Sequence, residues 1–212
     1  MPAVFTAVVL LVGISALGDA PDTRNSTEQI ARYFSVHNNS IYFCAVCVTV
    51  AMGGLLVFAA FVAQTIDGAG ASVLASVARS TSVVVATGVI IAMALMYATL
   101  AYVIGPESPG SAKALFELTL VVVPLLAVPI GMLIGVVALA VFRNGVGRPW
   151  FGVLSIVAVV VCAIGACGFA EHGLFSPDVQ QQVVFQVLIV WLIASVWGLR
   201  ERRAYSEATV GT

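Results

Sequence analysis

Two cysteines one helical turn apart are the first residues in this chain that can do chemistry. Cys44 and Cys47 form a C-x-x-C pair at the head of the apolar stretch SIYFCAVCVTVAMGG. This spacing is typical of thiol oxidoreductases, in which a helix N-terminus favours the reactive thiolate. A helix capped by Ser40 would place Cys44 a full turn inside, where apolar surroundings disfavour the thiolate. Packing as small apolar residues, a structural disulfide and thiol redox exchange are the three interpretations, and packing is favoured.

The histidines and serines do not complete a catalytic or metal-binding pattern. His37 and His172 are the only histidines, and neither has a second histidine at ligand spacing. The chain also lacks a G-x-S-x-G elbow and a glycine-rich phosphate loop with its lysine. We therefore expect no catalytic residue, no metal ligand and no cofactor, in a protein that is not an enzyme.

The elements that carry these residues are expected to be membrane helices. The chain is 61% hydrophobic and 9% charged, whereas soluble domains carry roughly a quarter charged residues. Its apolar runs are continuous, which favours helices over the alternating strands of a membrane barrel. The sequence predicts an all-α, polytopic membrane bundle forming a single domain over residues 1–212. Its six transmembrane helices are expected at about residues 2–18, 41–66, 80–104, 116–142, 150–170 and 182–199.

The polar residues predict an orientation for these helices. Six arginines lie on the side of the C-terminus and three basic residues on the other side, so the positive-inside rule predicts that both termini are cytoplasmic. No ionisable residue lies in the middle of a predicted span, which argues against a proton-driven transporter. Four glutamines are expected near span ends, where water or lipid headgroups bind their amides: Gln64, Gln181, Gln182 and Gln186.

The longest predicted loop contains a short amphipathic helix over residues 26–37. Ser26 and Gln29 have the spacing of a capping box. We expect this helix to lie at the outer headgroup level or to cap the bundle, before the chain turns at Asn38 and Asn39. A loop with a chance apolar stripe is the alternative. The predicted outer contact surface consists of residues at i, i+3, i+4 and i+7, namely Ile30, Tyr33, Phe34 and His37.

Small residues and prolines mark places where helices approach closely. Glycines without side chains allow close backbone contact, which in lipid replaces the missing hydrophobic drive. The glycines therefore predict either packing within the bundle or docking of a partner subunit. Two prolines each remove a backbone hydrogen bond and are expected to kink the fourth span. Gly53 and Gly54 stand side by side in the second span, and the other predicted contact residues are Gly131, Gly135, Gly165, Gly168, Pro124 and Pro129.

The segment from residue 18 to residue 37 resembles the opening of a known group of proteins. It reads GDAPD, then the capped helix, then ARYFSVH leading into the second span. This pattern is similar to that of a poorly characterised family of small multi-pass membrane proteins in actinobacteria. The resemblance covers the first third of the chain. It implies a membrane-embedded helical fold in a bacterial inner membrane, and it implies no catalytic residues.

Three functional hypotheses follow. The leading one is a non-catalytic accessory or assembly subunit of a larger inner-membrane complex, contacting its partners through residues 26–37. The second is a carrier or binding protein for an apolar or lipid-like molecule, held in a cavity beside the kinked fourth span. The third is a membrane thiol redox protein using Cys44 and Cys47. The expected partners are the lipid bilayer, membrane-protein subunits and a bound lipid, and no feature of the sequence indicates nucleic acid.

Overall fold

A computed structural model describes residues 2–18, 20–21, 25–104, 108–167 and 177–199. These residues are mostly helical and contain no strand. Three helical segments are long and apolar enough to cross a membrane, namely Asn38–Gly68, Ser72–Tyr102 and Gly110–Asn144. Shorter apolar helices are Pro2–Ser15, Pro149–Gly165 and Gln182–Gly198. The prediction of a helical protein with several helices able to span a membrane is confirmed.

The helices are labelled in chain order. The third apolar segment of the chain includes two π-helical turns, π1 and π2, on either side of a single α-helical turn. The bounds are α1 Pro2–Ser15, α2 Thr27–Val36, α3 Asn38–Gly68, α4 Ser72–Val89, π1 Ile90–Leu95, α5 Met96–Thr99, π2 Leu100–Ile104, α6 Pro109–Leu125, α7 Ala127–Asn144, α8 Pro149–Gly165 and α9 Pro177–Gly198.

The apolar helices form a closed ring that follows the order of the chain. α1 packs on α3, α3 on α4, α4 on α7, α7 on α8, α8 on α9, and α9 returns to α1. α6 leads into α7 and packs against α2 and α9. The terminal face is the end of the ring formed by Pro2, residues 69–71, residues 145–148 and Gly198. The α2 face is the opposite end, formed by α2, Ser15, Asn38 and the start of α6.

The second predicted span begins earlier than the sequence indicated. Asn38 and Asn39 belong to the first turn of α3, so the expected turn at these two residues is wrong. The chain turns one residue earlier, at His37, which has φ −102° and ψ 22°. The Ile41 N–H donates to the His37 carbonyl at 3.0 Å, so the new helix starts at once. α2 and α3 are therefore separated by a single residue.

The fourth predicted span is one helical segment, Gly110–Asn144, that is interrupted for a single residue. α6 ends at Leu125 and α7 begins at Ala127, with a turn at Leu126 between Pro124 and Pro129. Pro129 has no N–H to donate to the Leu125 carbonyl, which removes one bond of the helical ladder. The Leu126 side chain lies directly against Gly88 of α4, in the space that a Cβ on Gly88 would need. The Leu126 side chain therefore fills the gap that the missing side chain of Gly88 leaves on α4.

Candidate functional site

The C-x-x-C pair lies in the interface between α1 and α3. Cys44 is fully buried and Cys47 is half-buried. A Cβ built on Gly13 would stand 2.6 Å from Cys47 Cβ and 3.5 Å from the Cys44 carbonyl oxygen. The backbone of α1 can approach the pair this closely because Gly13 has no side chain. Both thiols are free, and their surroundings are those expected for helix packing.

Thiol accessibility provides a test of the redox hypothesis. Cys44 and Cys162 are buried whereas Cys167 is exposed, and reaction requires an accessible thiolate. We expect maleimide to modify Cys167 in the folded, detergent-solubilised protein and to leave Cys44 unmodified until the protein is denatured. Intact-mass spectrometry measures this, with Cys167→Ser as the control. Rapid modification of Cys44 in the folded protein, or oxidant-driven joining of Cys44 to Cys47, would support redox exchange instead.

The predicted outer contact surface is mostly occupied within the chain. Ile30 and Phe34 are 0% and 1% exposed, which corrects the prediction that they face a partner. The Phe34 ring makes edge-to-face contacts with Tyr97 at 5.5 Å and Phe116 at 5.9 Å between centroids. The apolar side of α2 packs against α6 and the π-helical segment. Of the four predicted residues, His37 alone is exposed and Tyr33 is half-buried.

Several hydrogen bonds hold α2 in this position. The Ser26 hydroxyl accepts from the Gln29 N–H at 3.2 Å, and the Gln29 side chain accepts from the Ser26 N–H at 2.9 Å. The Tyr33 hydroxyl donates to the Leu17 carbonyl at 2.5 Å, which ties α2 to the end of α1. The pKa of the Glu28 carboxyl is lowered by hydrogen bonds to its own backbone N–H and to the Ser26 side chain. The Tyr33 ring also stacks on His37, with centroids 4.7 Å apart.

The glycines of the G-x-x-x-G pattern pack inside the bundle. A Cβ on Gly131 would stand 3.2 Å from Cys162 Cβ, and one on Gly135 would stand 3.5 Å from Val159 Cγ2. Both neighbours belong to α8, so the pattern serves the α7–α8 interface and not an open docking face. Gly165 approaches α9, because its Cβ would stand 2.6 Å from Val184 Cγ2. Gly168 and His172, which the sequence also singled out, lie outside the described residues.

An apolar cavity of about 490 Å³ opens between α1, α3 and α9 beside the terminal face. Neither of the two hydroxyl groups in its wall is free to donate a hydrogen bond into the cavity. The Ser195 hydroxyl donates to the Leu192 carbonyl at 2.6 Å, and the Thr65 hydroxyl donates to the Phe61 carbonyl at 2.9 Å. The remaining wall is aliphatic and aromatic, so the cavity suits hydrocarbon. The wall includes Pro2, Ala3, Val4, Phe58, Phe61, Val62, Val146, Val196 and Leu199.

A second cavity of about 640 Å³ continues the first toward the terminal face. The two share four wall residues and together form what we call the terminal cavity. Neutral amides line the outer part, from Gln64 and from Asn144, whose side chain also donates to the Ala69 carbonyl at 3.4 Å. Gly147 has φ +99°, which suits glycine and exposes backbone at the mouth. The shared residues are Phe61, Thr65, Val146 and Leu199.

The sequence predicted a binding cavity in a different part of the molecule. It predicted one beside the kinked fourth span, but neither Pro124 nor Pro129 lines the terminal cavity. Leu126 instead fills the gap at Gly88. The terminal cavity arises where α1, α3 and α9 meet, and these helices are far apart in the chain. The sequence did contain one sign of the terminal cavity, because Gln64 and Thr65 are adjacent polar residues near the end of a long apolar stretch.

Comparisons of the chain with protein-family models, curated proteins and solved structures found no match. The resemblance of residues 18–37 to an actinobacterial family therefore stays a prediction. In the part of the chain that the structure describes, no three His, Cys, Asp or Glu side chains are grouped so as to hold a metal ion. Among the described residues, the terminal cavity is therefore the best candidate for a binding site.

Proposed function

We propose that this protein is a non-catalytic membrane protein that binds a lipid-like molecule in the terminal cavity. The observation that carries the proposal is the continuity of an apolar cleft with a polar mouth, through the shared residues Phe61, Thr65, Val146 and Leu199. The apolar part alone has a volume within the roughly 300–1,000 Å³ typical of ligand sites. An elongated molecule with a hydrocarbon tail and a polar head matches this arrangement.

The polar mouth is expected to select the ligand. A lipid tail entering the cleft leaves one hydrocarbon environment for another, so burial of the tail contributes little net free energy. Hydrogen bonds at the head must therefore distinguish the bound molecule from bulk lipid. Gln64 and Asn144 offer neutral donors and acceptors, which suit the carbonyl, hydroxyl or phosphate oxygens of a headgroup. The ligand class that fits is a polar-headed lipid.

We further propose that the chain crosses a bacterial inner membrane six times, with both termini in the cytoplasm. Exposed aromatic residues support this placement, because Tyr and Trp are enriched at membrane–water interfaces. Tyr42 and Tyr102 lie near the α2 face, and Trp150 and Trp197 lie near the terminal face. The positive-inside rule supports a cytoplasmic terminal face, since exposed arginines lie beside it at Arg143 and Arg148.

The other two hypotheses have less support. The accessory-subunit hypothesis relied on the outer surface of α2 and on the glycine pattern of α7, and both are largely occupied by contacts within the chain. The redox hypothesis relied on an accessible thiol pair, whereas Cys44 is buried against α1. Lipid binding is the hypothesis that a specific feature favours.

Filling the junction of the terminal cavity tests this function. Thr65 is exposed and lines both parts of the cavity, so Thr65→Trp places a large ring where tail and head would meet. We expect the amount of lipid co-purified per protein, measured by native mass spectrometry and lipid analysis, to fall about tenfold, equivalent to about 1.4 kcal/mol.

Thr49→Trp is the matched control for this variant. Thr49 is also exposed on α3, and its hydroxyl donates to the Ala45 carbonyl at 2.8 Å, as that of Thr65 does to Phe61. It does not line the terminal cavity. We expect the control to retain its lipid. The proposal fails if the wild-type protein carries no specific lipid, or if both variants retain it equally.

A further inference from the structure

Two glutamines lie on the outward face of α9. Gln182 and Gln186 are one helical turn apart and both are exposed. Their neighbours on this face are apolar and also exposed, so the face is turned toward lipid in the proposed membrane placement. We call it the glutamine face, and its members are Gln182, Gln186, Val190, Ile193 and Trp197. The two glutamines also border a cavity of about 420 Å³ between α9, α1 and the π-helical segment.

Gln186 lies near the middle of α9 along the helix axis, and not near the end of this helix. α9 runs from Pro177 to Gly198, which makes Gln186 the tenth of its 22 residues. At 1.5 Å per residue it is about 14 Å from the start of the helix. The neighbouring α8 agrees with this position, because Gln186 lines a groove together with Val157 from the middle of that helix and Val161 from the next turn. A bilayer core about 30 Å thick would enclose this position.

The amide of Gln186 needs a partner at this depth. Among the residues that the structure describes, Gln186 makes no hydrogen bond from its side chain. An amide without a partner in hydrocarbon costs several kcal/mol of transfer free energy, and glutamine side chains in membrane helices bond across to other helices. The groove beside it, about 280 Å³ in volume, lies between α8 and α9 and is lined mainly by valines. It can accept apolar side chains from a helix that brings the missing partner.

We propose that this helix is α9 of a second copy of the chain, so that the protein forms a two-fold symmetric dimer through the glutamine face. A carboxamide is both donor and acceptor, so two copies of Gln186 facing each other across a two-fold axis satisfy one another. Such an axis places the same patch on both subunits. The glutamine face contains no charged residue, so it does not call for a partner of opposite charge.

The dimer is tested by measuring association in liposomes. Protein labelled with donor and acceptor dyes is reconstituted in phospholipid vesicles over a range of protein-to-lipid ratios, and energy transfer reports the dimer fraction. We expect the wild-type protein to dimerise and Gln186→Leu to weaken the association by roughly three- to thirty-fold, the range for hydrogen bonds between membrane helices. Because position 186 is exposed, leucine is expected to leave the fold intact, and circular dichroism checks this.

Thr49→Leu is the control, because it replaces a polar residue by leucine at an exposed position on α3 that lies outside the terminal cavity. We expect it to leave dimerisation unchanged. As a second measurement, Val190→Cys in a cysteine-free background is expected to cross-link between copies, whereas Val83→Cys on the exposed side of α4 is not. A wild-type protein that stays monomeric at every ratio overturns the dimer, and so does a Gln186→Leu variant that associates as tightly as wild type. Neither result bears on lipid binding in the terminal cavity.

Discussion

Trp191→Ala is expected to lower the free energy of unfolding by about 3 kcal/mol, at the low end of the range for large buried aromatic residues. The Trp191 side chain is 1% exposed and fills the junction of α3, α8 and α9. Its ring stacks on Phe151 at 5.7 Å and meets the edge of Phe58 at 5.9 Å between centroids. The expected loss of stability lies at the low end because the Trp191 side chain of the unfolded protein enters lipid instead of water. The variant therefore loses mainly packing contacts and little hydrophobic free energy.

Thermal unfolding in detergent, followed by circular dichroism, measures this effect. A loss of this size corresponds to a fall in Tm of about 6–12 °C. Trp197→Ala is the control, since Trp197 is on the same helix but 52% exposed, and we expect a fall below about 2 °C. Trp191→Phe keeps the stacking but removes the hydrogen bond from the indole Nε1 to the Ser155 hydroxyl, 2.9 Å long, and should cost about 1 kcal/mol. Equal values for Trp191→Ala and Trp197→Ala would contradict the packing described here.

Gly54→Leu is expected to separate α1 from α3 and to lower the free energy of unfolding by about 2 kcal/mol. A Cβ at Gly54 would stand 2.5 Å from Thr6 Oγ1 and 3.2 Å from Phe5 Cδ1. Thr6 cannot easily move aside, because it is fully buried and its hydroxyl donates to the Pro2 carbonyl at 2.9 Å. Its β-branched side chain is also stiff about χ1. The helices must therefore shift to admit the new side chain.

Gly53→Leu is the control for this effect. Gly53 precedes Gly54 in the same helix, but a Cβ there meets no atom within 4 Å. We expect Gly54→Leu to lower Tm by about 4–8 °C and Gly53→Leu to leave it nearly unchanged, by the same thermal unfolding measurement. Faster proteolysis of α1 in the Gly54 variant would be a second sign of its release. Two variants of equal stability would show that α1 does not pack on α3 as described.

Local features of the chain were predictable from the sequence. The capping box at Ser26 and Gln29 forms because both residues belong to one turn of backbone and need no help from elsewhere. The long apolar helices were predictable because composition and run length are local too. The break near Pro124 and Pro129 was partly predictable, since a proline disrupts its own helix wherever that helix packs.

Features that depend on distant contacts were missed. The two π-helical turns between Ile90 and Ile104 have no marker in the sequence, because that stretch reads as ordinary apolar helix. Ile30 and Phe34 were expected to face a partner, since a helical stripe predicts burial without naming what covers it. The start of α9 was also missed, because this helix begins five residues before the predicted span.

The sequence by itself determined that this is a helical protein suited to lipid, because a long uncharged run must satisfy its own peptide groups wherever it lies in a bilayer. Only the tertiary structure decided how each helix is rotated about its axis. That rotation depends on side chains far apart in the chain, such as Gly54 against Thr6 and Trp191 against Ser155. The rotation of the helices places Gly54 but not Gly53 against α1, and it buries one side of α2. It also opens the terminal cavity and turns Gln182 and Gln186 outward.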